Sequence, residues 1–314
     1  MADFWKNKKI LVTGGNGFLG RHLVKKLIEK DVKKEDIFAP IFPECDLRKL
    51  EDCKKVVVNQ DIVIHLAGVV GGIDYNEKYP GKVFYDNGSM ALHMLETSRL
   101  AGVKKFVGMG TVCEYPKIIP MPFKEEDLWQ GYPEETNAPY GLAKKFMLAQ
   151  SQAYRKEYGF NAIHLLMQNL YGPGDNFSPE SSHVIPALIK KVYEAKKENK
   201  DFIEAWGTGK ATRQFIYVED AAEAVILAAE KYDKPQPINI GSSREISIKE
   251  LAELICKLMD FKGGIKWDLS KPDGQPRRFF DLGRAEKEIG FRANTSFEDG
   301  ILNTINWYKN NATL

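Results

Sequence analysis

Short apolar runs and amphipathic stretches alternate along the first half of this chain. Residues 9–13, 36–42, 61–67 and 104–110 are nearly continuous in apolar character, as strands buried on both faces are. Between them lie segments of helical period. In 18–30, Phe18, Leu19, Leu23 and Leu27 share one stripe. Strands separated by connections long enough for crossover helices predict a parallel sheet covered on both faces, which is a doubly wound α/β fold.

The second half keeps this rhythm less evenly. Residues 140–159 read as a long helix stopped by Gly159, and 160–172 as the next buried strand. From about 171 to 209 the alternation is broken by Gly172, Pro173, Gly174, Pro179 and Pro186, and a helix over 184–198 follows, which predicts an insertion on the substrate side. Strand and helix signals return at 213–232 and 237–242, and helices are expected over 246–260 and 297–311. The expected division is 1–170 with 211–245 as a dinucleotide-binding unit of Rossmann type, and 171–210 with 246–314 as a smaller, discontinuous substrate domain.

Composition narrows the function classes. Of 314 residues 43% are hydrophobic and 28% charged, enough to bury a real core. Forty-five Lys and Arg against 43 Asp and Glu leave a formal charge of +2, so the whole molecule offers no field for nucleic acid or anionic lipid. Any anion it binds must be caught locally. Cys45, Cys53, Cys113 and Cys256 show neither CxxC spacing nor disulfide-scaffold density, and the five histidines are scattered, so no metal site is expected. No stretch approaches the ~20 apolar residues of a membrane span, and the first apolar run is too short for a secretory signal. These features predict a cytoplasmic protein with reduced thiols.

The segment Gly14-Gly15-Asn16-Gly17-Phe18-Leu19-Gly20 follows an expected strand and opens an expected helix. In that context Gly14, Gly17 and Gly20 permit a tight turn, let backbone N–H groups approach a pyrophosphate, and allow the helix to pack closely with its positive end toward the anion. Which nicotinamide cofactor binds is set near the end of the second strand, where an acid favours the ribose 2′-OH and an arginine the 2′-phosphate. Glu44 and Asp46 suggest NAD but sit far enough along to begin the next helix, and no arginine is placed for a 2′-phosphate.

Tyr140 and Lys144 stand four apart in an expected helix, on one face. A phenol with an ordinary pKa near ~10 exchanges protons poorly at neutral pH, and an adjacent ammonium, helped by an oxidised nicotinamide, is expected to lower it. Thr111, at the end of an expected central strand, adds a hydroxyl.

TGGNGFLG, YGLAK, NLYGPGDNF, SHVIPALIKK, WGTG and RQFIYVEDAA, in this order along essentially the whole chain, resemble the GDP-L-fucose synthase family of extended short-chain dehydrogenases. The resemblance implies 3,5-epimerisation and NADPH-dependent 4-reduction of a GDP-linked 4-keto-6-deoxyhexose, with NAD(H) also possible. It places the catalytic hydroxyl, tyrosine and lysine on Thr111, Tyr140 and Lys144, and an epimerising cysteine and histidine on Cys113 and His183. On an extended segment Thr111 and Cys113 would point the same way.

Cofactor contacts fall by resemblance on Gly14, Asn16, Gly17, Phe18, Leu19, Gly20, Asp46, Leu47, Leu66, Ala67, Gly68, Asn87, Met167, Asn169, Leu170 and His183, besides Tyr140 and Lys144. Substrate contacts fall on Lys191, Trp206, Arg213 and Asp273. Lys190, Lys196 and Lys197 read as a solvated helix face, and Glu125, Glu126 and Asp127 as a solvated loop. Asn87 and Asn169 suit either an orienting or a structural role. A homodimer through the helix carrying Tyr140 is implied by resemblance.

The chain departs from the family pattern in three places: Thr111-Val112-Cys113 stands for Ser-Ser-Cys, Met167-Gln168-Asn169 for Pro-Thr-Asn, and Glu114 follows the cysteine. A competing reading is an NAD-dependent nucleotide-sugar 4-epimerase or 4-reductase in which Cys113 is idle. A dinucleotide sensor without chemistry is disfavoured by the intact Thr111, Tyr140 and Lys144 set.

Overall fold

The computed structural model describes residues 4–312 apart from Pro272, and excludes the side chains of Ile73 and Asp74. In chain order the elements are β1 (Ile10–Thr13), α1 (Phe18–Glu29), β2 (Ile37–Phe38), α2 (Leu50–Val56), β3 (Ile62–His65), α3 (Ile73–Lys78), α4 (Pro80–Leu100), β4 (Lys105–Thr111), α5 (Ala138–Tyr158) and β5 (Ala162–Met167). There follow β6 (Asn169–Tyr171), α6 (Val184–Lys197), β7 (Phe202–Trp206), β8 (Thr212–Tyr217), α7 (Val218–Lys231), β9 (Ile238–Ile240), β10 (Glu245–Ser247), α8 (Ile248–Leu258), β11 (Gly264–Asp268), α9 (Gly283–Ile289) and α10 (Phe297–Asn311).

Six strands form one parallel sheet in the order β2-β1-β3-β4-β5-β9. Leu19, Leu23 and Leu27 of α1 pack with Ala222 and Val225 of α7 on one face. Met90 and Met94 of α4 with Met147 of α5 cover the other. This is the expected doubly wound sheet. Strand order reverses between β1 and β3, and in such sheets the ligand crevice opens at the carboxyl ends of the strands flanking that point.

Two smaller sheets, β10-β8-β6 and β11-β7, surround a separate core of Leu188, Ile203, Leu251, Ile255 and Ile301. The strand expected over 160–172 divides: β5 stays in the main sheet to Met167, and β6 leaves it from Asn169 to pair with β8. β2 is only two residues long, because Pro40 and Pro43 have no N–H to extend a ladder. The acidic run after Lys124 is a 3-10 turn rather than a solvated loop: Glu125 is buried and accepts the Asn239 N–H at 2.9 Å. Among the described residues no helix is long and apolar enough to cross a membrane.

Candidate active site

The crevice begins where β1 and β3 end side by side. The Thr13 hydroxyl bonds His65 Nδ1 at 2.8 Å and accepts the Ala67 N–H at 3.2 Å, fastening the two strand ends together. Burial, with the Lys144 cation adding to it, pushes His65 down to about 3, so this joint is neutral. Gly14 has φ +69°, and a Cβ there would stand 2.9 Å from the Ala67 nitrogen. A Cβ on Gly20 would stand 2.6 Å from the Gly15 Cα. The loop therefore closes against both the helix and the neighbouring strand only because these positions lack side chains.

Gly17 caps α1 without a side chain, and the first turn of α1 carries no acidic residue. Its N–H groups and positive dipole end thus face the crevice uncompensated, the arrangement that suits a pyrophosphate. Asn16 is exposed and donates to the Ala39 carbonyl at 3.3 Å, Phe18 is half-buried, and Leu19 is a core residue. These features fit a dinucleotide.

On the far side of the loop, both Asp46 carboxylate oxygens are taken by Arg48 at 2.8 Å, and that contact lowers the Asp46 carboxyl. Arg48 also reaches Asp86 at 3.3 Å. Leu47 is buried beside Cys53. Past β3, Leu66 and Ala67 are half-buried and Gly68 exposed. Asn87 braces this segment, accepting the Val69 N–H at 3.1 Å and donating to the Val69 and Val83 carbonyls at 3.0 and 2.8 Å. A Cβ on Gly68 would lie 3.1 Å from Asn87 Oδ1 and 3.4 Å from Lys144 Nζ, so the lysine opens directly onto the cofactor loop.

β4 delivers Thr111 to the crevice, and the chain then tightens into a 3-10 turn over Val112–Glu114. The expected extended segment is absent. Thr111 caps the turn, its Oγ1 accepting the Cys113 N–H at 3.3 Å, so the hydroxyl is fixed to the Cys113 backbone by a cap rather than set beside it by strand periodicity. α5 lies against this turn at Gly141 and carries Tyr140 and Lys144. Lys144 Nζ sits 5.9 Å from the Tyr140 ring centre.

Burial, then Cys113 and Glu114, raise the Tyr140 phenol, the direction opposite to that expected from Lys144. The ammonium is near the ring but does not outweigh desolvation. Lys144 is itself pushed down to about 8 by burial, against which Glu114 acts. A phenol held protonated in this way is suited to giving a proton to an oxyanion.

Cys113 is half-buried, and Arg278 Nη1 donates to its sulfur at 3.6 Å. A proton lost from this thiol leaves its charge beside a cation. Arg213 lies close by, pushed down to about 10 by burial and by Arg278. Sequence reading missed Arg278; its signal was the doubled arginine of PRR, three residues beyond Gly274 in a chain that must catch anions locally.

His183 is the N-cap of α6 and is exposed at the surface; desolvation by the protein around it lowers its imidazole, and its ring has no hydrogen-bond partner among the described residues. It arrives on its own element, and among the described residues no hydrogen bond joins it to Cys113. Lys191 donates to the Glu204 carbonyl at 2.9 Å and stands 5.6 Å from the Trp206 ring, with Lys271 on that ring at 5.0 Å. Asp273 accepts the Thr208 N–H and Oγ1 at 2.7 Å each, shaping the turn after Trp206. Met167 is in the core, Leu170 packs on it, and Asn169 donates to the Gln214 carbonyl at 3.1 Å.

Residues 10–241 match the NAD dependent epimerase/dehydratase family. GDP-L-fucose synthase 1 of Arabidopsis thaliana is 36% identical over 99% of this chain and 95% of its own length. Among solved structures, a GDP-6-OMe-4-keto-L-xylo-heptose reductase from C. jejuni superposes with a TM-score of 0.90 at 27% identity, covering 99% of both chains. A GDP-L-fucose synthetase from Naegleria fowleri bound to NADP gives 0.87 at 29%, covering 98% of this chain and 95% of the other. With its glycine loop at the sheet's switch point and a Thr-Tyr-Lys set opposite, the chain belongs to the NAD dependent epimerase/dehydratase family.

Proposed function

We propose that this chain epimerises C3 and C5 of a GDP-linked 4-keto-6-deoxyhexose and then reduces C4 with NADPH. The observation that carries the reading is the Cys113 thiol, set beside the Tyr140 phenol and under the Arg278 guanidinium. A plain reductase has no use for a proton-abstracting sulfur at that position.

Protons on C3 and C5 are acidic because each carbon flanks the C4 carbonyl. Cys113 removes one to give an enolate, whose oxygen the Thr111 hydroxyl and Tyr140 phenol stabilise by hydrogen bonding. His183 returns a proton to the opposite face and inverts the centre. The two groups recover their starting protonation through solvent. In the last stage Tyr140 gives its proton to the C4 oxygen, with the Lys144 charge beside the phenolate that remains.

Gly14, Gly17, Gly20 and the N-terminus of α1 would hold the pyrophosphate, and Gly68, Asn87 and Lys144 line the stretch toward Tyr140. When bound, the nicotinamide supplies hydride to C4. NADP(H) is favoured over NAD(H) because β2 ends at Phe38-Ala39 without an acid for a 2′-OH, Asp46 is engaged by Arg48, and the Naegleria relative holds NADP. Arg213, Arg278, Lys191 and Lys271 supply cations for a nucleoside diphosphate. Exposed Tyr85, Leu92 and Phe146 on α4 and α5 support a homodimer through those helices, and the four free thiols suit the cytoplasm.

A second reading is 4-reduction without epimerisation, favoured by the absence of a hydrogen bond between His183 and Cys113 among the described residues and by likeness to the C. jejuni reductase. Turnover of GDP-4-keto-6-deoxy-D-mannose with NADPH in D2O separates the two. Deuterium at C3 and C5 of the product, lost in Cys113→Ser, is the expected result. Reduction without deuterium selects the second reading, and no turnover removes both.

A further inference from the structure

Beside the glycine loop stands a guanidinium that the proposed function leaves without a role. Arg21 lies on α1, four residues after Gly17, and is exposed. Its Nε donates to the Gly17 carbonyl at 3.3 Å and its Nη2 to the Asn16 carbonyl at 3.4 Å. The side chain thus turns back over the loop, as helical side chains lean toward the N-terminus. Among the described residues it has no carboxylate partner.

We infer that Arg21 reads the 2′-phosphate of NADP(H). The inference rests on the NADPH preference proposed above and names the residue responsible for it.

The 2′-substituent of a bound dinucleotide is read near the end of the second strand, and here that end is tied to the glycine loop. Asn16 Nδ2 donates to the Ala39 carbonyl at 3.3 Å, and a Cβ on Gly15 would stand 2.7 Å from the Ala39 Cβ. Arg21 holds the backbone carbonyl of the same Asn16, so a single residue links the guanidinium to the end of β2. Helix geometry agrees. Leu19 packs with α7, which lies on the β4 side of α1. Arg21 is roughly 200° further round the helix and so projects from the opposite flank, where β2 borders the sheet.

The substrate-side segment leaves the guanidinium room. His22 Nε2 bonds the Pro173 carbonyl at 2.8 Å, which seats residues 172–174 on α1. Gly174, at φ +85°, meets Arg21 without a side chain, and a Cβ there would stand 3.1 Å from Arg21 Nη1. The two bonds that Arg21 makes are longer than the usual range of about 2.7–3.2 Å and go to neutral carbonyls. A phosphate dianion, matched by the planar fork of a guanidinium, displaces such bonds readily. Arg48, by contrast, is held by Asp46 on two nitrogens and by Asp86 on the third. Lys144 opens at Gly68, on the way to Tyr140.

The test is calorimetric titration of the full chain with NADPH and with NADH, in the absence of sugar substrate. Wild type is expected to bind NADPH more tightly. Arg21→Met keeps the apolar stem of the side chain and is expected to weaken NADPH at least about tenfold while NADH stays within about twofold. Arg21→Gln keeps a donor for the loop carbonyls but not the charge, and is expected to lose NADPH affinity to the same extent.

An equal loss for both cofactors in Arg21→Met overturns the inference, because a brace of the loop, or a contact to the shared pyrophosphate, weakens both alike. Unchanged NADPH affinity in either variant overturns it as well. A wild type that binds the two cofactors equally would instead sink the NADPH preference itself, and the inference with it, so the two failures are told apart by the wild-type titration.

Discussion

Gly141 offers the sharpest test of how the site is assembled. It follows Tyr140 in α5, and a methyl built on its Cα would stand 2.1 Å from the Cys113 carbonyl oxygen and 3.3 Å from the Glu114 nitrogen. These are backbone atoms of a turn held by the Thr111 cap and the Glu114 carboxylate, so they cannot rotate aside. Ordinary van der Waals approach begins near 3.4 Å, and Gly141→Ala must part helix and turn by roughly 1 Å.

Overpacking of this kind costs about 1–3 kcal/mol of stability. The larger effect falls on catalysis, since the phenol moves relative to the Thr111 hydroxyl and Cys113 thiol, and a misplacement near 1 Å costs about 100-fold. The glycine loop lies on other elements, so NADPH affinity should hold within about twofold, less than 0.5 kcal/mol. Melting temperature, fluorescence titration with NADPH, and kcat/KM on one preparation separate these effects. A folded Gly141→Ala protein whose kcat/KM stays within about threefold of wild type would refute the assembly argued here.

Gly20→Ala pushes a Cβ against Gly14 and Gly15 backbone, so calorimetry should find NADPH bound at least about tenfold more weakly; an unchanged Kd would detach this loop from the cofactor. Asp175 is buried, and desolvation pushes its carboxyl up to about 7. A folded-state value above the unfolded 3.8 means that its contribution to stability is full below about pH 4 and is lost as pH rises through about 7. Asp175→Asn should therefore melt like wild type at pH 4 and higher at pH 8, by a few kcal/mol at most, with equal melting at both pH values as the contrary result. Leu92→Arg with Phe146→Arg, on the exposed faces of α4 and α5, should halve the mass seen by light scattering if those helices form the dimer.

The sheet, its covering helices and the glycine turn were legible because period and punctuation are local properties. Leu19, Leu23 and Leu27 share a stripe whatever lies beyond them, and Gly159 stops α5 with φ +66°. Legibility failed where a distant partner decides. Nothing within 160–172 reveals that the chain changes sheets at Gln168, since both halves are apolar and the choice between β9 and β8 is made elsewhere. Glu125 sits in an acidic run that reads as solvated, and the N–H that buries it belongs to Asn239, 114 residues on. The raised Tyr140 phenol was missed similarly, because spacing shows Lys144 four residues away but not the protein packed around the hydroxyl.

The sheet change at Gln168 also relocates the consequence of one departure from the family pattern. The Gln168 side chain of that departure is buried in an amide joint. Its Oε1 accepts the Ser242 N–H at 2.8 Å, and its Nε2 donates to Gln214 Oε1 at 2.6 Å. The same Gln214 oxygen accepts the Phe280 N–H at 2.8 Å. Phe280 is two residues from Arg278, whose guanidinium is on the Cys113 sulfur. The amide pair thus ties the point where the chain leaves the main sheet to the segment that brings a cation to the thiol. Because buried amides tolerate little loss of partners, a change at 168 should be felt first in the placement of Arg278, and so in the Cys113 step, before it is felt at the cofactor.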